Sequence, residues 1–163
     1  MNLYIFFGLP GAGKTYVGKV AQKHFDYHLY DGDNDLPPEM QQAIHRQEVI
    51  TDSMRDVFFK SLLKTAKRLT KQYSKLVIAQ TFIKEKYRKQ FLQAFPNARF
   101  VLIEALAPTR EERLLKRKHY QLDLEYAKKM TTFFDMPFIQ HEIIRNNTFG
   151  EEEIKVQLDK LLD

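Results

Sequence analysis

One stretch, Gly8-Leu9-Pro10-Gly11-Ala12-Gly13-Lys14-Thr15, meets the pattern G-x-x-x-x-G-K-[ST] at every required position. It restricts the fold more than any other feature, because the pattern works only as the turn between a buried strand and a helix. Both flanks read that way. Leu3-Tyr4-Ile5-Phe6-Phe7 is a continuous apolar run of strand length, as in a central parallel strand covered on both faces. After the loop, Val17, Val20, Ala21 and Phe25 recur at helical spacing with Lys19 and Lys23 between them.

Each residue type in the stretch has a physical reason. The glycines at 8, 11 and 13 allow positive φ and close backbone approach, so that successive N–H groups can turn inward around a phosphate. Lys14 supplies a charge for β- and γ-phosphates, and the Thr15 hydroxyl can ligate Mg2+. A helix starting near Gly13 aims the positive end of its dipole at the same phosphates. The loop, with Tyr16 following it, is expected to hold a nucleotide.

At 163 residues the chain is expected to be one domain, 1–163. No apolar run approaches the roughly 20 residues of a membrane span, and no signal peptide pattern opens the sequence. The absence of cysteine excludes disulfides and thiolate metal sites and is compatible with a cytoplasmic protein. The five histidines show no zinc-type spacing. The net charge of +5 is uneven: residues 55–129 hold 19 of the 26 basic and 7 of the 21 acidic side chains, so this stretch is +12 and the remainder −7. Solvated helix faces account for that pattern, and an anionic substrate or nucleic acid is the sharper reading.

Further strands are expected at Tyr27–Tyr30, Lys75–Gln80 and Arg99–Ala105, with a weaker one at Phe138–Arg145. Helices are expected from Pro37-Pro38 to about Glu48, and from a Thr51 or Asp52 cap to about Gln72 with Val57, Phe58, Leu62, Leu63, Ala66 and Leu69 facing inward. More follow over Lys84–Phe95, Arg110–Lys118, Leu122–Phe134 and Glu151–Leu162. Strands alternating with helices imply an α/β fold: a three-layer P-loop NTPase arrangement of about five parallel strands, with helices on both faces. Ligands of such a sheet bind beyond the carboxyl ends of its strands, where the Gly8–Thr15 loop, the Asp31-Gly32-Asp33 turn and Gln80-Thr81 all lie. Two carboxylates there, Asp31 and Asp33, suit a transfer that needs a hydroxyl-proton acceptor and a Mg2+ ligand. Asp35 reads as a turn residue.

The ordered set Gly8–Thr15, Asp31-Gly32-Asp33, Thr51-Asp52-Ser53-Met54-Arg55, Val77-Ile78-Ala79-Gln80-Thr81 with Lys84, and Glu112-Arg113-Leu114-Leu115-Lys116-Arg117-Lys118-His119-Tyr120 resembles the gluconate kinase branch of the shikimate and adenylate kinase group. The resemblance implies ATP as donor with Mg2+, a mobile lid at about 110–130, and phosphorylation of a hydroxyl on a small polar metabolite. It gives Lys14 and Thr15 their loop roles, makes Asp33 the partner or base of the acceptor hydroxyl, and puts Asp31 near the metal. It sets Arg55, Gln80 and Thr81 around the substrate, Arg113 on the adenine and Arg117 on the phosphates. Arg113 and Arg117 are four apart and would share a helix face. His119 stands next to these arginines. The chain departs from the gluconate kinase pattern at Asn34-Asp35-Leu36-Pro37, at Gln80-Thr81-Phe82 and after His119-Tyr120, which leaves the acceptor open. Gln80 lacks the acid of motor ATPases, and Asn146-Asn147-Thr148-Phe149 lacks the aspartate of a guanine-selecting loop. The alternatives are a kinase of nucleosides or nucleic-acid 5′-hydroxyls and an ATP-binding regulatory module without transfer activity.

Overall fold

The computed structural model describes residues 1–117, 123–148 and 150–163. In chain order its elements are β1 (Asn2–Phe7), α1 (Lys14–Phe25), β2 (His28–Asp31), a 3-10 turn (Gly32–Asp35), α2 (Pro38–His45), α3 (Asp52–Leu69), β3 (Lys75–Ala79), α4 (Glu85–Ala94), β4 (Arg99–Glu104), α5 (Ala107–Lys116), α6 (Leu124–Thr131), β5 (His141–Arg145) and α7 (Glu151–Leu161). The five strands form one parallel sheet in the order β2-β3-β1-β4-β5. The expected α/β fold is therefore present.

The run of apolar residues in β1 follows from its central place. Successive side chains of a strand point to opposite faces. Leu3, Ile5 and Phe7 meet Phe59, Leu62 and Ala66 of α3 and Phe91 of α4, while Tyr4 and Phe6 meet Val17, Val20 and Ala21 of α1 and Ile154 and Leu158 of α7. The two cores make the three layers, and both require a strand that is apolar throughout.

Several boundaries differ from the sequence expectation for identifiable reasons. Helix α2 stops at His45 because Gln47 adopts φ 57° and the Glu48 N–H turns back to the Ala43 carbonyl at 2.8 Å. Thr51, not Asp52, caps α3, accepting the Met54 N–H at 3.2 Å. On that helix Phe59 takes the core position, and Val57 is exposed. Strand β5 begins only at His141, since the N–H groups of Phe138 and Ile139 go to the Glu85 carboxylate at 3.1 and 2.7 Å and not to β4. Helix α5 starts at Ala107 and ends at Lys116, so Arg117 lies past the helix end and shares no helix face with Arg113. The central part of the expected lid, Lys118, His119, Tyr120 and Leu122 among it, lies outside the described residues, as does Phe149.

A buried ion pair unannounced by the sequence pattern ties the β3–α4 loop to the chain before β5. Arg88 has no exposed surface. Its Nη1 donates to Glu85 Oε2 at 2.7 Å and to the Asp135 carbonyl at 2.9 Å, its Nε to the Phe82 carbonyl at 2.8 Å, and its plane lies against the Phe7 and Phe134 rings. Removing one partner of such a pair strands the other charge. Glu85→Ala is expected to lower the unfolding free energy by about 3 kcal/mol or more, whereas Lys116→Ala, which breaks an exposed i,i+4 pair with Glu112 at 2.8 Å, should lower it by less than about 1 kcal/mol. Urea denaturation of the two variants makes the comparison, and equal small losses would show that Arg88 is not a structural node.

Candidate active site

The Gly8–Thr15 loop leaves β1 and enters α1 through Gly13, which sits at φ 89° as the helix cap. A Cβ at Gly13 would stand 2.3 Å from Asn146 Nδ2, and one at Gly11 would stand 2.7 Å from the Arg110 carbonyl oxygen. Neither position can carry a side chain without moving its neighbours. The closeness comes from a clamp. Arg113 Nη1 donates to the carbonyls of Gly11 and Ala12, both at 3.1 Å, and its Nη2 to the Asn146 carbonyl at 2.6 Å; Asn146 Nδ2 adds a bond to Ala12 at 3.0 Å. Because the N–H of a trans peptide points opposite to its carbonyl, engaging the Ala12 carbonyl turns the Gly13 N–H away from the clamp.

On that other side lies a cavity of about 260 Å³, where Lys14, Thr15 and Arg117 meet Asp31, Asp33, Gln80 and Thr81, with Pro10, Gly11 and Gly13 forming the loop wall. Lys14 Nζ donates to the Gly8 and Leu9 carbonyls at 2.9 and 3.0 Å. Burial pulls its pKa down to about 8; the charge of Asp33, and less so that of Asp31, works against this fall, while Arg117 adds to it. Asp31 is raised above the usual carboxylate range, first by burial and further by the charge of Asp33, although it accepts the Asp33 N–H at 2.9 Å. A lysine held short of its full basicity gains from a phosphate, and a carboxylate raised by burial and by its neighbour's charge gains from a cation beside it. The residues therefore fit a nucleotide phosphate with a bound cation such as Mg2+, which Thr15 and Asp31 could hold.

Gln80, at 7% exposure, stands at the boundary of this cavity. Its Nε2 donates to Asp33 Oδ1 at 3.2 Å, and its Oε1 accepts the Thr81 N–H at 2.5 Å. The amide thus fixes the carboxylate that faces the phosphate cavity. Beyond it a second cavity, about 100 Å³, shares Pro10, Asp33, Gln80 and Thr81 with the first and reaches Arg55, which is buried with Nη1 on the Ile50 carbonyl at 2.9 Å and 3.7 Å from Asp52.

The structure brings Lys14, Thr15, Asp31, Asp33, Gln80, Thr81 and Arg117 to one cavity and Arg55 to its neighbour. Arg113 lies beneath the loop and not in the phosphate cavity wall. Tyr16 packs against the α1 side of the core, and Leu9 and Ala12 face a separate groove with Arg110. Asp35 does more than turn the chain: it accepts the hydroxyls of Tyr30, Ser61 and Thr65 at 2.7, 3.0 and 2.9 Å and so fastens the Asp31–Asp35 turn to α3. The serine and threonine four apart on α3 were the readable sign of that contact. Asn146 had no comparable sign.

A family model described as an AAA domain matches residues 3–137. Among solved structures, an unliganded sugar kinase from Janibacter sp. HTCC2649 superposes with a TM-score of 0.83 over 98% of this chain and 93% of that one, at 17% identity. A gluconokinase from Sinorhizobium meliloti 1021 gives 0.78 over 99% and 93%, at 18% identity. A deoxyadenosine kinase from M. mycoides with bound dATP gives 0.66 over 98% of both chains, at 12% identity. At these identities the likeness is one of fold. No curated protein matches the chain in sequence.

Lys14→Ala is expected to abolish stabilisation by ATP, which for the wild type at 100 times its Kd should reach about 2.7 kcal/mol; a retained thermal shift would remove Lys14 from the phosphate site. The folded pKa of Lys14 lies below its ordinary 10.5, so the unfolded chain holds this proton more tightly. Stability of the free protein should accordingly rise from about pH 8 towards 10.5. Nucleotide binding, which needs the ammonium, should weaken over the same window, by roughly tenfold at pH 9. Calorimetry at that pH should show uptake of nearly one proton on binding.

Proposed function

The chain belongs to the AAA-domain family, and on that premise we propose that it is an ATP-dependent kinase which transfers the γ-phosphoryl group to a hydroxyl of a small metabolite, in the manner of gluconate and shikimate kinases. One observation carries this reading: Asp33, held by Gln80, stands in the wall shared by a charged phosphate cavity and a second, separate pocket. That is the position required of a group that receives a proton from an acceptor while the acceptor oxygen faces the nucleotide.

In the reaction the acceptor oxygen bonds to the γ-phosphorus, the bond from that phosphorus to the β–γ bridging oxygen breaks, and the hydroxyl proton passes to Asp33. Lys14 and Arg117 stabilise the charge that spreads over the transferring group. Mg2+, held by Thr15 and Asp31, would neutralise phosphate charge when bound. Arg113 acts on the nucleotide through the loop, by holding the Gly11 and Ala12 carbonyls away from the phosphates. Gly8 to Thr15 with Tyr16 form the nucleotide site, and Arg55 belongs to the acceptor. A pocket of about 100 Å³, the share of roughly three water molecules, favours a small acceptor over a nucleic-acid 5′ end. A cytoplasmic setting, where ATP is abundant, completes the reading.

ADP release from Mg-ATP, followed with and without sugar acids, polyols, nucleosides and 5′-hydroxyl oligonucleotides, tests it. Acceptor-dependent release is expected, and Asp33→Asn should lower kcat by about 100-fold or more while the KM for ATP stays within about threefold. Tight ATP binding with no acceptor response would favour the regulatory module.

A further inference from the structure

We infer that the acceptor has an apolar body: an aliphatic or single-ring framework carrying one reactive hydroxyl and at most one anionic group. The inference rests on the kinase reading above and departs from the small polar acceptor that the family resemblance implies.

The pocket beyond Asp33 is walled from four directions by hydrocarbon. Leu36 follows the Asp33 turn, Met40 and Ile44 come from α2, Phe58 and Leu62 from α3, and Phe82 from the loop after β3. Met40, Leu62 and Phe82 are themselves buried. Well-packed interiors leave few voids larger than a water molecule, so an apolar cavity of about 100 Å³ against the proposed base is a feature of the site rather than of the core. Its size suits a short chain or a small ring whose ends project into the openings.

Several polar groups of the wall already have partners within the protein. Gln80 uses its amide nitrogen on Asp33 and its oxygen on the Thr81 N–H. The Tyr87 hydroxyl donates to Asp56 Oδ1 at 2.5 Å, and Arg55 Nη1 holds the Ile50 carbonyl. A sugar acid would carry several hydroxyls into this space, and each would exchange water for methyl and phenyl groups. An apolar framework loses nothing there and needs only Asp33 at its hydroxyl. Arg55 is the one cation among the described residues that line the pocket, and it sets the single anionic group that the acceptor can carry.

The test compares benzyl alcohol, 3-(hydroxymethyl)benzoate, gluconate and shikimate as acceptors in the Mg-ATP assay. Either benzyl compound should exceed both sugar-type acids in kcat/KM by about 10-fold or more, the order of discrimination that an apolar pocket supplies. Met40→Gln should lower that advantage about 10-fold while the thermal shift with ATP persists, and Arg55→Met should remove any preference for the benzoate over benzyl alcohol. Faster turnover of gluconate or shikimate overturns the inference and leaves the kinase reading standing. If none of the four is phosphorylated although ATP binds, the kinase reading has failed for these compounds, and saturation-transfer NMR then decides the pocket. Benzyl alcohol bound by the wild type and lost in Met40→Gln supports an apolar site; no binding, or preferred binding of gluconate, overturns it.

Discussion

A guanidinium with no exposed surface is among the costliest groups a protein can bury, several kcal/mol before compensation, and Arg88 is such a group. Its requirements shape the molecule around it. Carbonyls of Phe82, Ile83 and Asp135 must face one point, and Glu85 must sit one turn earlier on α4. Glu85 in turn takes the N–H groups of Phe138 and Ile139, and its own N–H is held by Asp135. The loop after β3 is thereby pinned to the chain before β5, with Phe82 forced to φ 49°, a conformation that a phenylalanine adopts only when its surroundings impose it. Gln80 and Thr81 immediately precede this anchor. Their placement against Asp33 follows from a charge buried on the far side of the loop.

A second arginine acts on the nucleotide side by a comparable logic. Arg113 and Asn146 satisfy the Gly11 and Ala12 carbonyls from beneath the loop, which is why Gly13 can have no Cβ and why the loop can offer N–H groups to a phosphate. The Asn146 backbone is itself fixed through a bond to the Glu104 carbonyl at 2.8 Å, so the end of β4 and the end of β5 both bear on the loop. Arginine suits the task because its planar fork reaches three carbonyls at once without losing its charge. Each half of the site is thus positioned by an arginine that stands behind it.

The fold was legible because its signals are local and repeated: apolar runs of strand length, helical spacing between them, and a loop pattern that demands a strand before and a helix after. The residues of the phosphate cavity were legible for the same reason, since Lys14, Thr15, Asp31, Asp33, Gln80 and Thr81 all lie at or beyond the carboxyl ends of strands, where a parallel sheet binds ligands. What the sequence concealed depends on contacts between distant segments. Arg88 and Glu85 are three apart on a helix, a spacing equally compatible with a surface pair; only the burial of α4 against Phe7 and Phe134 makes them a core feature. The resemblance sets Arg113 on the adenine, and its bonds to the Gly11, Ala12 and Asn146 carbonyls come from a segment far away in the chain, which helical spacing does not reveal. The apolar pocket comes from several segments distant in sequence, Leu36, Met40, Phe58 and Phe82 among them, whose convergence no local pattern shows.

The two cavities divide the chemistry. Charge is concentrated where phosphates would lie, and hydrocarbon where the acceptor would lie, with the Asp33–Gln80 pair in the common wall. Water is the competing nucleophile of every phosphoryl transfer, and a site admits it wherever polar groups invite it. A hydrocarbon wall offers water no partner, so the apolar part of the pocket beyond Asp33 would hold water poorly until a molecule brings its own hydroxyl. Exclusion of water also strengthens the electrostatics between Asp33 and the cations across the wall. On the proposed reading, the same apolar lining that would narrow the choice of acceptor would also disfavour hydrolysis of ATP when no acceptor is bound.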